Sequence, residues 1–175
     1  MRTLKYCILG LLSEHPLNSQ QINQTIIEEI GNFWSTKHIQ VLPEIQRLKK
    51  EGLICSDQTK NYSITTSGTE ELDNWLMKDQ AIDNRAKDIF QMRMYFSSRI
   101  SDQRTLELIQ SQIIQHEAKL KFLEVIFNRR YKNKKPTHAQ RGDFFNLRCS
   151  IKKEKAYLEW LEECAQYIFD DNQKV

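Results

Sequence analysis

Glycine and proline are scarce, five and three among 175 residues. So few backbone breaks favour long uninterrupted helices and argue against a loop-rich all-β fold. Cysteine and histidine never cluster: Cys7, Cys55, Cys149 and Cys164 contain no C-x-x-C pair, and His15, His38, His116 and His138 stand equally apart. Neither a zinc site nor a disulfide framework matches that spacing, so reduced thiols, no metal and no cofactor are expected. There is no nucleophile–base pair and no glycine-rich phosphate loop, which sets an enzyme last among the readings. No stretch approaches the roughly 18 apolar residues of a membrane span. The short run Tyr6–Leu12 mimics a signal peptide, but Ser13-Glu14-His15-Pro16 follows it without a small-residue cleavage pattern. A cytoplasmic protein without membrane contact is expected.

What is present is an ordinary globular balance, 39% hydrophobic and 28% charged, enough for one good core or two small ones. The charge is uneven. Residues 1–84 carry 8 Lys and Arg against 11 Asp and Glu, a net −3, and residues 85–175 carry 18 against 12, a net +6. A nucleic-acid binder concentrates positive charge on its contact surface.

Leu4, Ile8, Leu11 and Leu12 recur at helical spacing, and Pro16 closes that helix. A second helix starts at Asn18, where Asn18 and Gln21 have capping-box spacing; Ile22, Ile26 and Ile30 form its stripe and Gly31 its end. A third turns Val41, Ile45 and Leu48 inward, with Ser35 or Thr36 as N-cap and Gly52 as its stop. Pro43 would cost about 3 kcal/mol in a regular helix interior; either the regular helix effectively begins near it, with Thr36–Leu42 as an irregular or tightened first turn, or the proline merely kinks the helix. Leu53–Cys55 and Asn61–Ile64 read as strands about the polar turn Asp57–Lys60. Thr66 or Ser67, with Glu70, caps a fourth helix bearing Leu72, Trp75 and Leu76. Three helices and a hairpin, in that order, make a winged helix-turn-helix, assigned to residues 1–80.

Residues 81–175 are assigned to a helical second domain. A connecting helix through Ile89, Phe90, Met92, Met94 and Phe96 leads into two heptad seams. One is Leu106, Ile109, Ile113, His116, Leu120, Leu123 and Phe127; the other is Phe144, Leu147, Ile151, Glu154, Leu158, Leu161, Ala165 and Ile168. Joined by the loop Asn128–Gly142, they should fold back as an antiparallel hairpin, with His116 and Glu154 facing as a register-fixing polar pair. Tyr157, Trp160 and Phe169 widen the second seam beyond what two helices cover. A homodimer is therefore expected, through Leu147, Ile151, Leu158, Trp160 and Leu161. The fold class is mainly α: a winged helix-turn-helix with a small β-hairpin, then a long antiparallel helical dimerisation domain.

In a helix-turn-helix, residues at the start of the second helix meet base edges in the major groove. Lys37, His38 and Gln40 are the candidate base readers, Lys37 toward guanine and Gln40 toward adenine. Ser35, Thr36 and Lys60 are candidate phosphate contacts. The loop 128–142 holds Arg129, Arg130, Lys132, Lys134, Lys135 and Arg141 with no acid. It reads either as a solvated turn or as a second contact with DNA phosphates or an acidic protein. Phe33, Trp34 and Trp75 read as core packing.

Several segments, taken in order, resemble the PadR family of bacterial transcriptional regulators. They are Ile8-Leu9-Gly10-Leu11-Leu12-Ser13, Pro16-Leu17, Phe33-Trp34, Gln40-Val41-x-Pro43-x-Ile45-x-Arg47-Leu48, Glu51-Gly52-Leu53-Ile54 and Tyr62-x-Ile64-Thr65-x-x-Gly68. The long helical C-terminal half, with Trp160 near its end, is similar to the branch related to the virulence activator alpha protein. The resemblance implies a homodimer with interlocking C-terminal helices, a palindromic double-stranded DNA operator, repression of nearby genes and, in some members, a small aromatic effector. The chain departs from the family pattern at Leu42, where a tyrosine is usual, and at Ser19-Gln20, where Gly-Tyr is usual.

Those departures, a wing whose turn has only Lys60 as a cation, and the negative balance of residues 1–84 point to an alternative. That alternative is a protein-interaction adaptor whose degenerate winged helix binds DNA weakly or not at all. For the DNA-binding reading, Lys37→Ala and Gln40→Ala are each expected to relax base discrimination by about 1–3 kcal/mol without unfolding the protein. Competition binding among operator variants checks this, and unchanged selectivity in either variant removes that residue from the role.

Overall fold

The computed structural model describes residues 2–31, 34, 40–58, 60–79 and 88–172. The chain divides into two compact units, Met1–Ile82 and Asp83–Val175. The first contains α1 (Thr3–Glu14), α2 (Ser19–Thr25), α3 (Val41–Lys50), β1 (Ile54–Ser56), β2 (Tyr62–Ile64) and α4 (Thr66–Leu76). Ile8 and Leu9 of α1, Ile22 of α2 and Ile45 and Leu48 of α3 are fully buried in one core, which Leu17, Ile54 and Leu72 extend. Each buried residue lies on the apolar stripe of its helix, so amphipathic periodicity and packing agree.

The capping box of α2 forms as the sequence suggests: Asn18 Oδ1 accepts from the Gln21 amide and Gln21 Oε1 accepts from the Asn18 amide, both at 2.9 Å. Beyond Thr25 the helix widens into a π turn, Ile26–Ile30, which the Gly31 amide closes on the Ile26 carbonyl at 2.8 Å. The stripe of isoleucines gives no sign of that extra residue per turn.

At α3 the structure corrects the expected N-cap. The cap is Gln40, not Ser35 or Thr36, which lie outside the described residues. Pro43 is thereby the third helical residue, where its missing N–H removes nothing, because the first amides of a helix have no intrahelical acceptor. The first intrahelical bond runs from the Glu44 amide to the Gln40 carbonyl at 3.2 Å. At the other end Gly52 adopts φ +71°, and the amides of Gly52 and Leu53 return to the carbonyls of Lys49 and Leu48. That is a Schellman turn, with Leu53 and Leu48 in the shared core.

β1 and β2 pair antiparallel with Ile54 opposite Ile64 and Ser56 opposite Tyr62. Leu17 adds a bridge to Tyr62, its amide and carbonyl both bonded there, a contact between distant segments that no local pattern announces. The cap of α4 is Thr65 rather than Thr66 or Ser67. Its hydroxyl accepts from the Gly68 amide at 3.1 Å and donates to the Gly52 carbonyl at 2.7 Å. Gly68 has to be glycine for a steric reason: a Cβ there would stand 2.1 Å from the Leu53 carbonyl oxygen. Trp75 stacks on Tyr6 at 4.5 Å, while Leu76 stays exposed.

The second unit contains α5 (Ile89–Tyr95), a 3-10 turn (Ser97–Arg99), α6 (Asp102–Tyr131) and α7 (Arg141–Asn172). Asp88 caps α5 through the amides of Phe90 and Gln91, and its other oxygen accepts from the Tyr157 hydroxyl at 2.7 Å. α6 and α7 form the expected antiparallel hairpin, with a connecting segment shorter than Asn128–Gly142 because both helices run into it. One apolar cluster holds Leu123, Ile126, Tyr131 and Leu147 near that turn; another holds Ile109 and Leu161 with Phe90 of α5. Between them His116 Nδ1 lies 2.6 Å from Glu154 Oε2, and Lys119 Nζ lies 2.6 Å from Glu154 Oε1.

All four cysteines are free, and burial pushes the Cys7 thiol up to about 11. Among the described residues no helix is long and apolar enough to cross a membrane.

Burial alone would raise the Glu154 carboxyl, but Lys119 and His116 more than offset it and hold it below its ordinary 4.5. A carboxyl depressed on folding stabilises the fold above its unfolded pKa and loses that contribution as pH falls through the folded value. Glu154→Gln is therefore expected to cost about 1–3 kcal/mol at neutral pH. The deficit relative to wild type should shrink as the pH is lowered beneath 4.5, which thermal unfolding over a pH series measures.

Candidate nucleic-acid interface

The starts of α2 and α3 converge on an open groove of about 470 Å³, lined by Ser19, Gln20, Asn23, Gln40, Val41, Leu42 and Pro43. Helix geometry explains the meeting: the apolar faces of α2 and α3 share one core, which leaves polar residues of both first turns along the seam between them. Gln20 and Gln40 are exposed, and Ser19 and Asn23 are half-buried. Among the described residues the lining offers amides and a hydroxyl, donors and acceptors together, beside the apolar Val41, Leu42 and Pro43, and it holds no carboxylate. Such a set suits base edges and phosphate oxygens, since a side-chain amide pairs bidentately with adenine. Gln40 makes no capping bond to its own helix. Leu42 lines the same groove and is 57% exposed.

Several cations of the first unit are already engaged by its carboxylates. Arg2 binds Glu44 at 2.6 Å and also pairs with Glu51, tying the start of α1 to α3. Its hydrogen bonds to Glu51 and Glu44 raise its pKa further. Lys5 binds Glu71 at 2.8 Å, and with the Tyr6 hydroxyl it holds that carboxyl below the usual range. Arg47, Lys49 and Lys50 occupy the exposed last turn of α3, where Lys49 Nζ donates to Ser56 Oγ at 2.8 Å.

The wing turn is held by Asp57, whose carboxylate accepts from the Asn61 amide at 2.9 Å. Asp57 thus serves the turn itself. Lys60 sits there exposed, at φ +62°, a left-handed conformation costly for any residue with a Cβ.

Of the residues proposed from sequence to touch DNA, Gln40 lies in the groove and Lys60 on the wing turn. Ser35, Thr36, Lys37 and His38 lie outside the described residues. Asn23 was not anticipated as a groove residue, and Ser19 and Gln20 entered the sequence reading only as departures from the family pattern. Their only local signal is their place on the polar face of α2, and the rest is the packing of α2 against α3. Of the residues proposed for a dimer contact, Leu147, Leu158 and Leu161 are buried inside the single chain, and Ile151 and Trp160 are half-buried against it. Tyr157 and Trp160, expected to need a partner chain, are covered by α5: Phe90 meets the Trp160 ring edge-on at 6.2 Å and Asp88 takes the Tyr157 hydroxyl. Trp34 is half-buried, Trp75 stacks on Tyr6, and Phe33 lies outside the described residues.

A family model of the transcriptional regulator PadR-like family matches residues 8–74, and a model of the virulence activator alpha C-terminal region matches residues 86–168. The negative transcriptional regulator PadR of Bacillus subtilis is 36% identical, over 98% of this chain and all of that one. This chain belongs to the PadR-like family of transcriptional regulators. Its fold is similar to the crystal structure of Bacillus subtilis PadR in complex with operator DNA, with a TM-score of 0.89 and 35% identity over 95% of this chain and 99% of that one. Similarity to the same PadR in complex with p-coumaric acid is equal in TM-score, 0.89, at 36% identity and the same coverage of 95% and 99%.

Lys60→Gly is expected to stabilise the protein by about 0.5–1 kcal/mol, because glycine adopts the left-handed turn position without the Cβ penalty. A higher denaturation midpoint at unchanged slope is the predicted result, and a lower midpoint would show that the lysine side chain holds the wing.

Proposed function

We propose that the protein is a homodimeric DNA-binding repressor acting on a palindromic operator. The observation that carries this reading is the groove at the starts of α2 and α3, where the amides of Gln20, Asn23 and Gln40 gather with no carboxylate among the described lining residues, in a chain that matches over 95% of its length a PadR solved on operator DNA. In the mechanism, Lys37, His38 and Gln40 read bases from the start of the recognition helix, while Ser35, Thr36 and Lys60 hold phosphates. The chain's own residues supply position and hydrogen bonds, and no bond is made or broken.

A second copy of the chain is supported by apolar surface left over after the hairpin has packed. Ile114, Phe122, Val125, Tyr167 and Phe169 of α6 and α7 are each more than half exposed, as are Ile89, Met92, Tyr95 and Phe96 of α5. Ile114 and Phe169 border an open groove of about 600 Å³. Monomeric proteins rarely expose contiguous apolar surface on that scale, and twofold pairing would cover it while setting two reading helices about one DNA turn apart, roughly 34–36 Å. A small aromatic acid is the candidate effector, on the strength of the p-coumaric acid complex of the relative. The protein acts in the cytoplasm, where its operator lies.

Titration with the duplex upstream of its own gene, across a salt series, tests the reading. Two protomers per duplex are expected, with affinity about 10³-fold or more above that for a shuffled duplex. Equal affinity for both duplexes, or binding by a lone protomer, would overturn it.

A further inference from the structure

The cations of the second unit are concentrated at the turn of the α6–α7 hairpin. Residues 128–155 carry 10 Lys and Arg against 2 acids, Asp143 and Glu154. Both acids are already engaged: Asp143 by Arg130 at 2.8 Å and by the Tyr131 hydroxyl, and Glu154 by His116 and Lys119. Lys155 is spent on Glu124 at 2.8 Å. Among the described residues no carboxylate pairs with Lys132, Lys134, Lys135, Arg141, Arg148 or Lys152, and all six are exposed.

Their arrangement is directional. Arg141, Arg148 and Lys152 are seven and four residues apart on α7, so they form one stripe along a single helix face. With Lys155 the stripe runs about 20 Å at the helical rise. The loop lysines extend it at the Arg141 end. Arg148 lies over the Phe144 ring at 5.6 Å, and with Lys152 and Lys155 it borders a groove of about 530 Å³ floored by half-buried Phe127 and Ile151.

We propose that this basic stripe and loop form a second, sequence-independent contact for the phosphate backbone of duplex DNA. The inference rests on the DNA-binding reading and supplies what that reading is short of. Residues 1–84 are net −3 and the described part of the wing turn holds a single cation, Lys60, whereas duplex DNA presents one negative charge per about 1.7 Å of axis. A folded protein partner fits the surface less well. Protein interfaces centre on apolar anchors with charge at the rim, and here the one large exposed apolar side chain on the described stripe is Phe145.

The full-length protein is titrated with two long duplexes, its own upstream region and a shuffled sequence, over a salt series. The loop variant is K132Q/K134Q/K135Q and the stripe variant R148Q/K152Q. The charge-matched control is R93Q/R99Q/K121Q, three exposed cations elsewhere in the same unit. Each lost phosphate contact lowers the slope of log K against log salt by about 0.9. The loop variant should flatten it by up to about 2.7 and the stripe variant by up to about 1.8 for each protomer bound, equally on both duplexes, with unchanged thermal unfolding and an unchanged slope in the control. An unaltered slope in both variants overturns the proposal, as does a control that flattens it as much. Retained duplex binding with lost binding to poly-glutamate also overturns it, and gives the surface to an acidic protein. A wild type that binds both duplexes alike sinks the operator reading, while the contact proposed for the stripe is still read from the slope on the shuffled duplex. A wild type that binds neither sinks both.

Discussion

The contact between His116 and Glu154 sets the register on which the second unit is built. Ile109, His116 and Leu123 are seven residues apart on α6, and Leu161, Glu154 and Leu147 are seven apart on α7. The packing joins Ile109 with Leu161, His116 with Glu154 and Leu123 with Leu147. A slip of one heptad would set the carboxylate and the imidazole against leucine or isoleucine and bury both without partners, which costs far more than an apolar mismatch. The pair contributes less to net stability than to uniqueness, because an all-apolar seam would pack nearly as well in either register.

Register matters because several other features hang from the same layer. Tyr157 lies one turn from Glu154, stacks on the His116 ring at 4.2 Å and reaches Asp88, which caps α5. Burial raises the Tyr157 hydroxyl's pKa and the Asp88 contact raises it further, so the group stays protonated and donates. Burial works against the Asp88 carboxylate, but the Gln91 and Phe90 amides and the Tyr157 hydroxyl hold it ionised below the usual range. The polar layer thus fixes α5 as well as the hairpin. The apolar faces left outside are those that no element of the unit covers.

Much of this was legible in the sequence where the signal is local or strictly periodic. The seams of α6 and α7, the polar pair within them and the Asn18–Gln21 box all follow from spacing alone. The cap of α4 was not, because Thr65, Thr66 and Ser67 are equivalent locally; Thr65 is selected by its bonds to Gly52 and Leu53 across the core. At the start of α3 the local capping signals, Ser35 and Thr36, competed with Pro43, and the described helix begins two residues before that proline. The groove requires Asn23 and Gln40 to meet, which is set by helix packing. The expected dimer residues show the cost of reading a wide apolar face without its neighbour: α5 takes up Trp160 and Tyr157 within the chain.

The free thiols provide an experimental handle. Cys55 on β1 and Cys149 on α7 are exposed, one in each unit, whereas Cys7 and Cys164 are half-buried with raised thiol pKa values, that of Cys7 to about 11. A thiol-reactive dye pair would therefore settle first on one strand of the wing hairpin and one face of the long rod. Energy transfer between them would read the separation of the two labels in the native protein, with no residue replaced.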